Sequence, residues 1–551
     1  MRDFSPEILA HALQNAIEFG NADPAKILPK LFQHGLDKKD IKEVMPLVIE
    51  FVKRVNKMDA KQRESTFVSV KQHLPLEHVE AKRVLPELSG ASKHMVFRMA
   101  PFPSGALHIG NAKTYLLNAL YAEKYNAKLL LVIDDTIGSE EKQPLKEGYE
   151  LIEEAAELLD VKYERPIVYK SDRLEIYYKY AQEMIHKGQA YVCHCSQEKL
   201  RENRANAMEC ECRQFPPAIQ LKRWEDMFEE PEGQAVVRLK TDMQHPNPAF
   251  RDRVLFRICD REHPRVKKKY RIWPTLEMTW AIDDHLLGVT HILRGNDLTI
   301  ETDMEKFIWD LFGWKHPETI HTGLIRIEGA EVKLSKSKAQ KEVRDGTFTG
   351  WDDPRTWSIQ SLMRRGITKE AIRGFVEEIG LNKQDITVPI EALYAHNRRI
   401  IDALTPRFYF VKSPIKLGFA QPITTKEISV PVHPDTPDRT RAISIGDVYV
   451  AQEDFDAHKS EEIRLLHLCN VLLKEPARVT SYENKKLPRV QWVSGHVPTR
   501  ILMPDGNWIE GGAEDAIAAL EPGTIVQFER VGFVRLDDVK DGTYEFWFAH
   551  H

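Results

Sequence analysis

Residues 97–117 read FRMAPFPSGALHIGNAKTYLL. The stretch HMVFRMA is strand-like, Pro101, Pro103 and Gly105 make a turn, and a helix opens near Ile109. His108 at that helix mouth has two readings: a satisfied polar cap, or part of a nucleotide site. Free backbone N–H groups and the macrodipole of a helix start favour a phosphate. Gly105 and Gly110 would let a nucleotide approach the backbone with no Cβ in the way.

Outward from this stretch the same alternation continues. AKLLLVIDDT, residues 127–136, is a continuous apolar strand ending in acids, as a parallel strand buried on both faces does. The amphipathic helix EGYELIEEAAELL follows at 147–159. After AIDDHLLGVTHILRG, residues 281–295, another helix follows in ETDMEKFIWDLFGW. Strand, helix, strand, helix predicts a doubly wound sheet whose ligands sit at the carboxyl ends of the strands. Residues 190–272 interrupt the pattern with cysteines and short strands. Beyond Pro406, short strands broken by Pro, Gly and Asp predict one or two β-barrels.

The bulk numbers fit a large globular chain. At 551 residues, roughly three to five domains are expected. Hydrophobic content is 42% and charged content 29%. No apolar run approaches the roughly 20 residues that span a bilayer. The start, MRDFSPEILAHAL, has no secretory pattern, so a cytoplasmic protein is expected. A net charge of −5 argues against a nucleic-acid coat but permits one local basic face. Ile8, Leu9, Leu13, Ile17 and then Ile41, Val44, Leu47, Val48 and Phe51 predict helices before residue 90. That front is read as an appendage, with a protein partner as its alternative use.

Some 220 residues after His108 comes EVKLSKSKAQK, residues 331–341. Lys333, Lys336 and Lys338 stand there among Ser335 and Ser337. Alone it reads as a solvated charge run. As a pair, HIGN and KLSKS resemble the two signatures of class I aminoacyl-tRNA synthetases, in the right order. RMAPFPSGALHIGNAK, DDHLLGVTHILRG and GWDDPRTWSIQSLMRRG are similar to stretches of the glutamyl and glutaminyl subfamily. VPVHPDTPDR, QWVSG and VQFERVGFVRLD resemble its two-barrel anticodon-binding region, and the helical front points to the archaeal glutamyl type.

The resemblance implies a multidomain α/β plus β chain. A helical extension (1–90) would precede a Rossmann-like catalytic domain (91–190 and 273–330) split by an acceptor-binding insertion (191–272). The KLSKS loop and a helical stem-contact region (331–405) would lead to anticodon-binding β-barrels (406–551). It also implies ligation of L-glutamate to tRNA(Glu) through a glutamyl-adenylate, using ATP and Mg²⁺ and generally requiring bound tRNA for activation. A form that also charges tRNA(Gln) with glutamate, and a glutaminyl enzyme, are the alternatives within the class. A small-molecule nucleotidyltransferase would have no use for the barrels. A non-catalytic RNA-binding paralogue would have no need of His108 and Lys336.

By the same resemblance, His108 would contact the phosphates, while Lys336, assisted by Lys333, would neutralise the β- and γ-phosphates. Gly105, Gly110 and Asn111 would complete the ATP site, Asn111 replacing the usual second histidine but keeping a donor and an acceptor. Arg98 and Arg294 would face the substrate side chain, and Asp134 would bind the α-ammonium. Two arginines on one small acid give bidentate, charge-assisted recognition. Val132, Ile137, Leu276 and Trp280 depart from the family pattern around that pocket.

Cys193, Cys195, Cys210 and Cys212 form two C-x-C pairs fourteen residues apart. Two close thiolate pairs can close one tetrahedral site, for which zinc is the expected ion and free thiols the alternative. The ion would be structural. RVKKKYR (265–271), Arg364-Arg365 and Arg398-Arg399 read as RNA-facing islands. Arg407, Tyr409, Trp492 and Phe528 are candidates for base stacking in the barrels, with ordinary barrel packing as the preferred reading.

Overall fold

The computed structural model describes residues 3–34, 36, 40–70, 85–137, 143–328 and 336–551. The chain forms two units, Met1–Val84 and Leu85–His551. In the first, helices Ser5–Phe19, Pro24–Leu31, Ile41–Asn56 and Ala60–Val70 surround a small apolar core. Ile8, Leu13, Val44 and Val48 are buried there as the periodicity predicts, whereas Ile17 is exposed. Leu85 and Leu88 belong to the core of the second unit.

That unit is built on five strands: β1 (Val96–Met99), β2 (Lys128–Ile133), β3 (Glu164–Tyr169), β4 (His291–Gly295) and β5 (Glu318–Thr322). Their order is β3-β2-β1-β4-β5, and every pairing is parallel. Side chains alternate across the sheet. Phe97, Met99, Leu129, Leu131, Ile133 and Leu293 enter one core; Ile292 enters the other, against which Leu130 also packs. Helices α1 (Ile109–Tyr125) and α2 (Lys146–Leu158) feed the first core through Leu116, Leu117, Tyr149 and Ile152. Helices α3 (Leu174–His186), α4 (Leu276–Leu286) and α5 (Thr299–Phe312) feed the second through Tyr177, Met278 and Ile308. Both faces are therefore covered, which is why the strands read as apolar runs.

The interruption at 190–272 is a four-stranded antiparallel sheet of Ala190–Cys193, Val236–Leu239, Val254–Ile258 and Ile272–Pro274. Toward the carboxyl end, seven strands form one sheet with Arg407–Phe408 at one edge and Phe410–Lys412 at the other. Consecutive strands at opposite edges require the sheet to curl almost into a barrel. Residues 414–494 add smaller sheets around Val450, Ile463, Val471 and Trp492. Among the described residues no helix is long and apolar enough to cross a membrane.

Three of the basic-island arginines are joints within this unit. Arg365 is fully buried and donates to the Phe548 and Ala549 carbonyls. Arg364 pairs with Asp537 and Asp352, and Arg398 with the His551 carbonyl. The expectation of RNA-facing islands at 364–365 is therefore corrected: these guanidinium groups tie a helix to the barrel. In RVKKKYR, Arg265 and Arg271 are paired with Asp172 and Asp260, while Lys267, Lys268 and Lys269 are exposed.

The turn between β1 and α1 is held by close backbone approach. A Cβ on Gly148 would lie 2.4 Å from the Pro103 carbonyl oxygen, which accepts from the Leu145 N–H at 2.8 Å. Gly148→Ala should therefore cost about 1–3 kcal/mol, seen as a lower thermal midpoint of the purified protein relative to wild type.

Candidate active site

Carboxyl ends of β1, β2 and β4 open onto a cavity of about 720 Å³. This lies within the usual range for small-molecule sites. Ala100 and Phe102 reach it from β1, Asp134, Thr136 and Ile137 from β2, and Asp297 and Glu301 from the turn and helix after β4. Strand order reverses here, with β2 on one side of β1 and β4 on the other. That is where ligands of doubly wound sheets bind.

His108 is the N-cap of α1, its Nδ1 accepting from the Asn111 N–H at 3.4 Å. Gly110 leaves space for its ring: a Cβ there would lie 3.2 Å from the imidazole. Asn111 rather than His108 is on the cavity wall, and its Oδ1 is buried with no hydrogen-bond partner among the described residues. Gly105 serves a different contact from the expected one. Its φ is +123°, and a Cβ would strike the Trp351 indole at 2.1 Å, so the glycine accommodates protein there. Lys333 lies outside the described residues. Lys336 opens the helix Lys336–Arg344, but its side chain is likewise outside what is described.

Arg98, Asp134 and Arg294 converge on one face of the sheet, each already engaged by the protein. Arg98 Nη2 donates to Asp284 Oδ2 at 3.0 Å and its Nε to Oδ1, a bidentate pair buried with α4. Arg294 Nη1 donates to Glu305 at 2.9 Å and to Thr302 Oγ1 at 2.9 Å. Its Nε and Nη2 are buried without a hydrogen-bond partner among the described residues. Asp134 lies 3.3 Å from Lys170 Nζ, which donates to Thr279 Oγ1 at 2.7 Å. Burial lowers the Lys170 pKa, with Asp134 opposing. Burial pushes the Glu305 carboxyl up to about 7, against Arg294.

Neither arginine is among the cavity-lining residues, whereas Asp134, Ile137, Leu276 and Trp280 are. Val132, the remaining departure from the pattern, is buried in β2. On the opposite wall stand Arg204, Arg253 and Arg257 of the insertion, with Arg253 paired to Glu277 and Glu301. Sequence reasoning missed Lys170, Asp284 and Glu305. Asp283-Asp284 inside an apolar helix was a readable signal, because buried acids require partners. A single lysine after β3 offered none.

The four cysteines meet. Their Sγ atoms all lie within 4.8 Å of one another, with Cys193 and Cys210 at 3.7 Å. Tetrahedral thiolates around zinc stand about 3.8 Å apart, given Zn–S of about 2.3 Å, so the donor set is compatible with that ion. Arg238 and Arg223 direct guanidinium groups at these sulfurs. In the carboxyl-terminal sheets, Tyr409, Trp492 and Phe528 are fully buried packing residues, and Arg407 pairs with Asp402.

Asp284→Asn would leave the buried Arg98 guanidinium without its counter-charge. It should destabilise the catalytic unit by about 3–5 kcal/mol, read as a lower denaturant midpoint, while a change at exposed Lys267 should not.

Comparison with known proteins agrees with this architecture. Residues 94–403 match the family model "tRNA synthetases class I (E and Q), catalytic domain". Residues 405–486 and 476–537 match two models of the anticodon-binding domain of the same class. A glutamate–tRNA ligase of Pyrococcus furiosus is 39% identical over 98% of this chain and 99% of that one. The ligase of that name from Thermococcus onnurineus is 40% identical over the same shares. The one from Methanobrevibacter smithii is 36% identical over the whole of both chains.

Proposed function

The chain belongs to the class I tRNA synthetases of the E and Q type, and from that premise we propose that it ligates L-glutamate to tRNA(Glu). The observation that carries the reading is the cavity at the strand-order reversal, with two buried arginines, each held by a carboxylate, packed against its Trp280 wall. Those arginines favour an acidic substrate side chain, and the end-to-end relatives carry the ligase name. A glutaminyl enzyme is disfavoured by Arg294, whose unsatisfied donors suit a carboxylate.

In this reading the α-carboxylate oxygen of glutamate attacks the α-phosphorus of ATP. The bond to the β-phosphate breaks and pyrophosphate leaves. The terminal 2′-hydroxyl of tRNA then attacks the acyl carbon, losing its proton, and AMP departs. The protein supplies positioning and electrostatics. Asn111 and the α1 start, capped by His108, are oriented toward the nucleotide, and Lys336 with Lys333 neutralises departing phosphate charge. Mg²⁺ accompanies ATP. Asp134, on the cavity wall, receives the α-ammonium next to Lys170. Cys193, Cys195, Cys210 and Cys212 hold a structural Zn²⁺ that pins the insertion. The protein works in the cytoplasm, and the helical front would be the part to take a protein partner.

The test is aminoacylation with labelled glutamate and labelled glutamine, each offered purified tRNA(Glu) and tRNA(Gln) separately. Glutamate on tRNA(Glu) is expected; glutamate on both would identify the non-discriminating form, and glutamine alone would overturn the pocket reading. Lys336→Ala should lower the adenylation rate by about 10²–10³-fold with an unchanged circular-dichroism spectrum. An unchanged rate would remove its assigned role. Elemental analysis should find one zinc per chain, lost in Cys195→Ser/Cys212→Ser together with amide-exchange protection around 190–240.

A further inference from the structure

Trp280 links the charged groups of this site. It projects from α4, is 5% exposed and lines the cavity. Three cations lie over its ring: Arg294 at 4.4 Å, Lys170 at 4.7 Å and Arg98 at 5.1 Å from the centroid. They arrive from β4, from the turn after β3, and from β1. None of them is among the lining residues; of the four side chains the indole alone lines the cavity.

Each cation has its own acid, in Glu305, Asp134 and Asp284. Those pairs neutralise charge and hold each cation to its own acid, but none of them links one cation to another. The π system of the ring is a partner that all three share, and desolvation strengthens that attraction. Trp280 Nε1 and the Nε and Nη2 of Arg294 are also buried without hydrogen-bond partners among the described residues. Buried donors of this kind carry a cost that an arriving carboxylate relieves.

We propose that Trp280 is a positioning residue that sets amino-acid specificity, holding Arg98, Lys170 and Arg294 where together they select a dicarboxylate over its amide. The proposal rests on the reading of this cavity as the glutamate site. Trp280→Phe keeps an aromatic face, whereas Trp280→Leu removes it and keeps an apolar plug.

Steady-state aminoacylation of wild type and both variants, with glutamate, ATP and tRNA varied in turn and glutamine as competitor, tests it. Trp280→Phe should hold KM for glutamate within about threefold. Trp280→Leu should raise it about tenfold or more and narrow the preference for glutamate over glutamine, with kcat and the KM for ATP and tRNA within about twofold. Equal shifts in both variants, equal rises for all three substrates, or no shift in Trp280→Leu would overturn the proposal. If Trp280→Leu does not fold, Trp280→Met carries the same expectation. Failure of the wild type to charge glutamate would instead sink the underlying functional reading, whatever the variants do.

Discussion

A parallel sheet buried on both faces leaves its strand ends as the place where polar chemistry can meet solvent. Much of this catalytic unit follows from that constraint. α1 and α2 seal one face and α3, α4 and α5 the other, so a ligand must enter where β1, β2 and β4 stop. Reversal of strand order beside β1 splays the connections apart and opens the cavity there. The insertion then supplies an opposing wall with Arg204, Arg253 and Arg257.

Charge at these strand ends is buried, so it must be balanced. Arg98, Lys170 and Arg294 each face a carboxylate held on another element. Asp135 is consumed similarly, accepting from the Ser171 N–H and Oγ and the Tyr149 hydroxyl. Such pairs gain little net stability over apolar packing, but breaking one is costly. Their effect is to fix guanidinium and ammonium groups beside a cavity that takes an acidic substrate. A neutral substrate would gain less from that arrangement.

Elements governed by local pattern were legible in the sequence. The apolar run of β2, the turn into α1 and the closely spaced cysteines each depend on residues near in the chain. Arg98 and Arg294 were singled out from the sequence, but their partners were not: Asp284 is 186 positions from Arg98, and spacing carries no information about such contacts. Gly105 was read as room for a nucleotide, yet the missing Cβ makes room for Trp351 from far down the chain. Arg364-Arg365 failed for a related reason. A basic pair looks the same whether it faces RNA or, as here, holds a barrel's last strand.

A crystal structure with a non-hydrolysable glutamyl-adenylate analogue tests the central claim most directly. The account predicts the analogue in the cavity between Asn111, Asp134 and Trp280. The Arg98–Asp284 and Arg294–Glu305 pairs should remain intact, and the ligand carboxylate should satisfy the free donors of Arg294. An analogue bound elsewhere, or bound only after those pairs break, would contradict it.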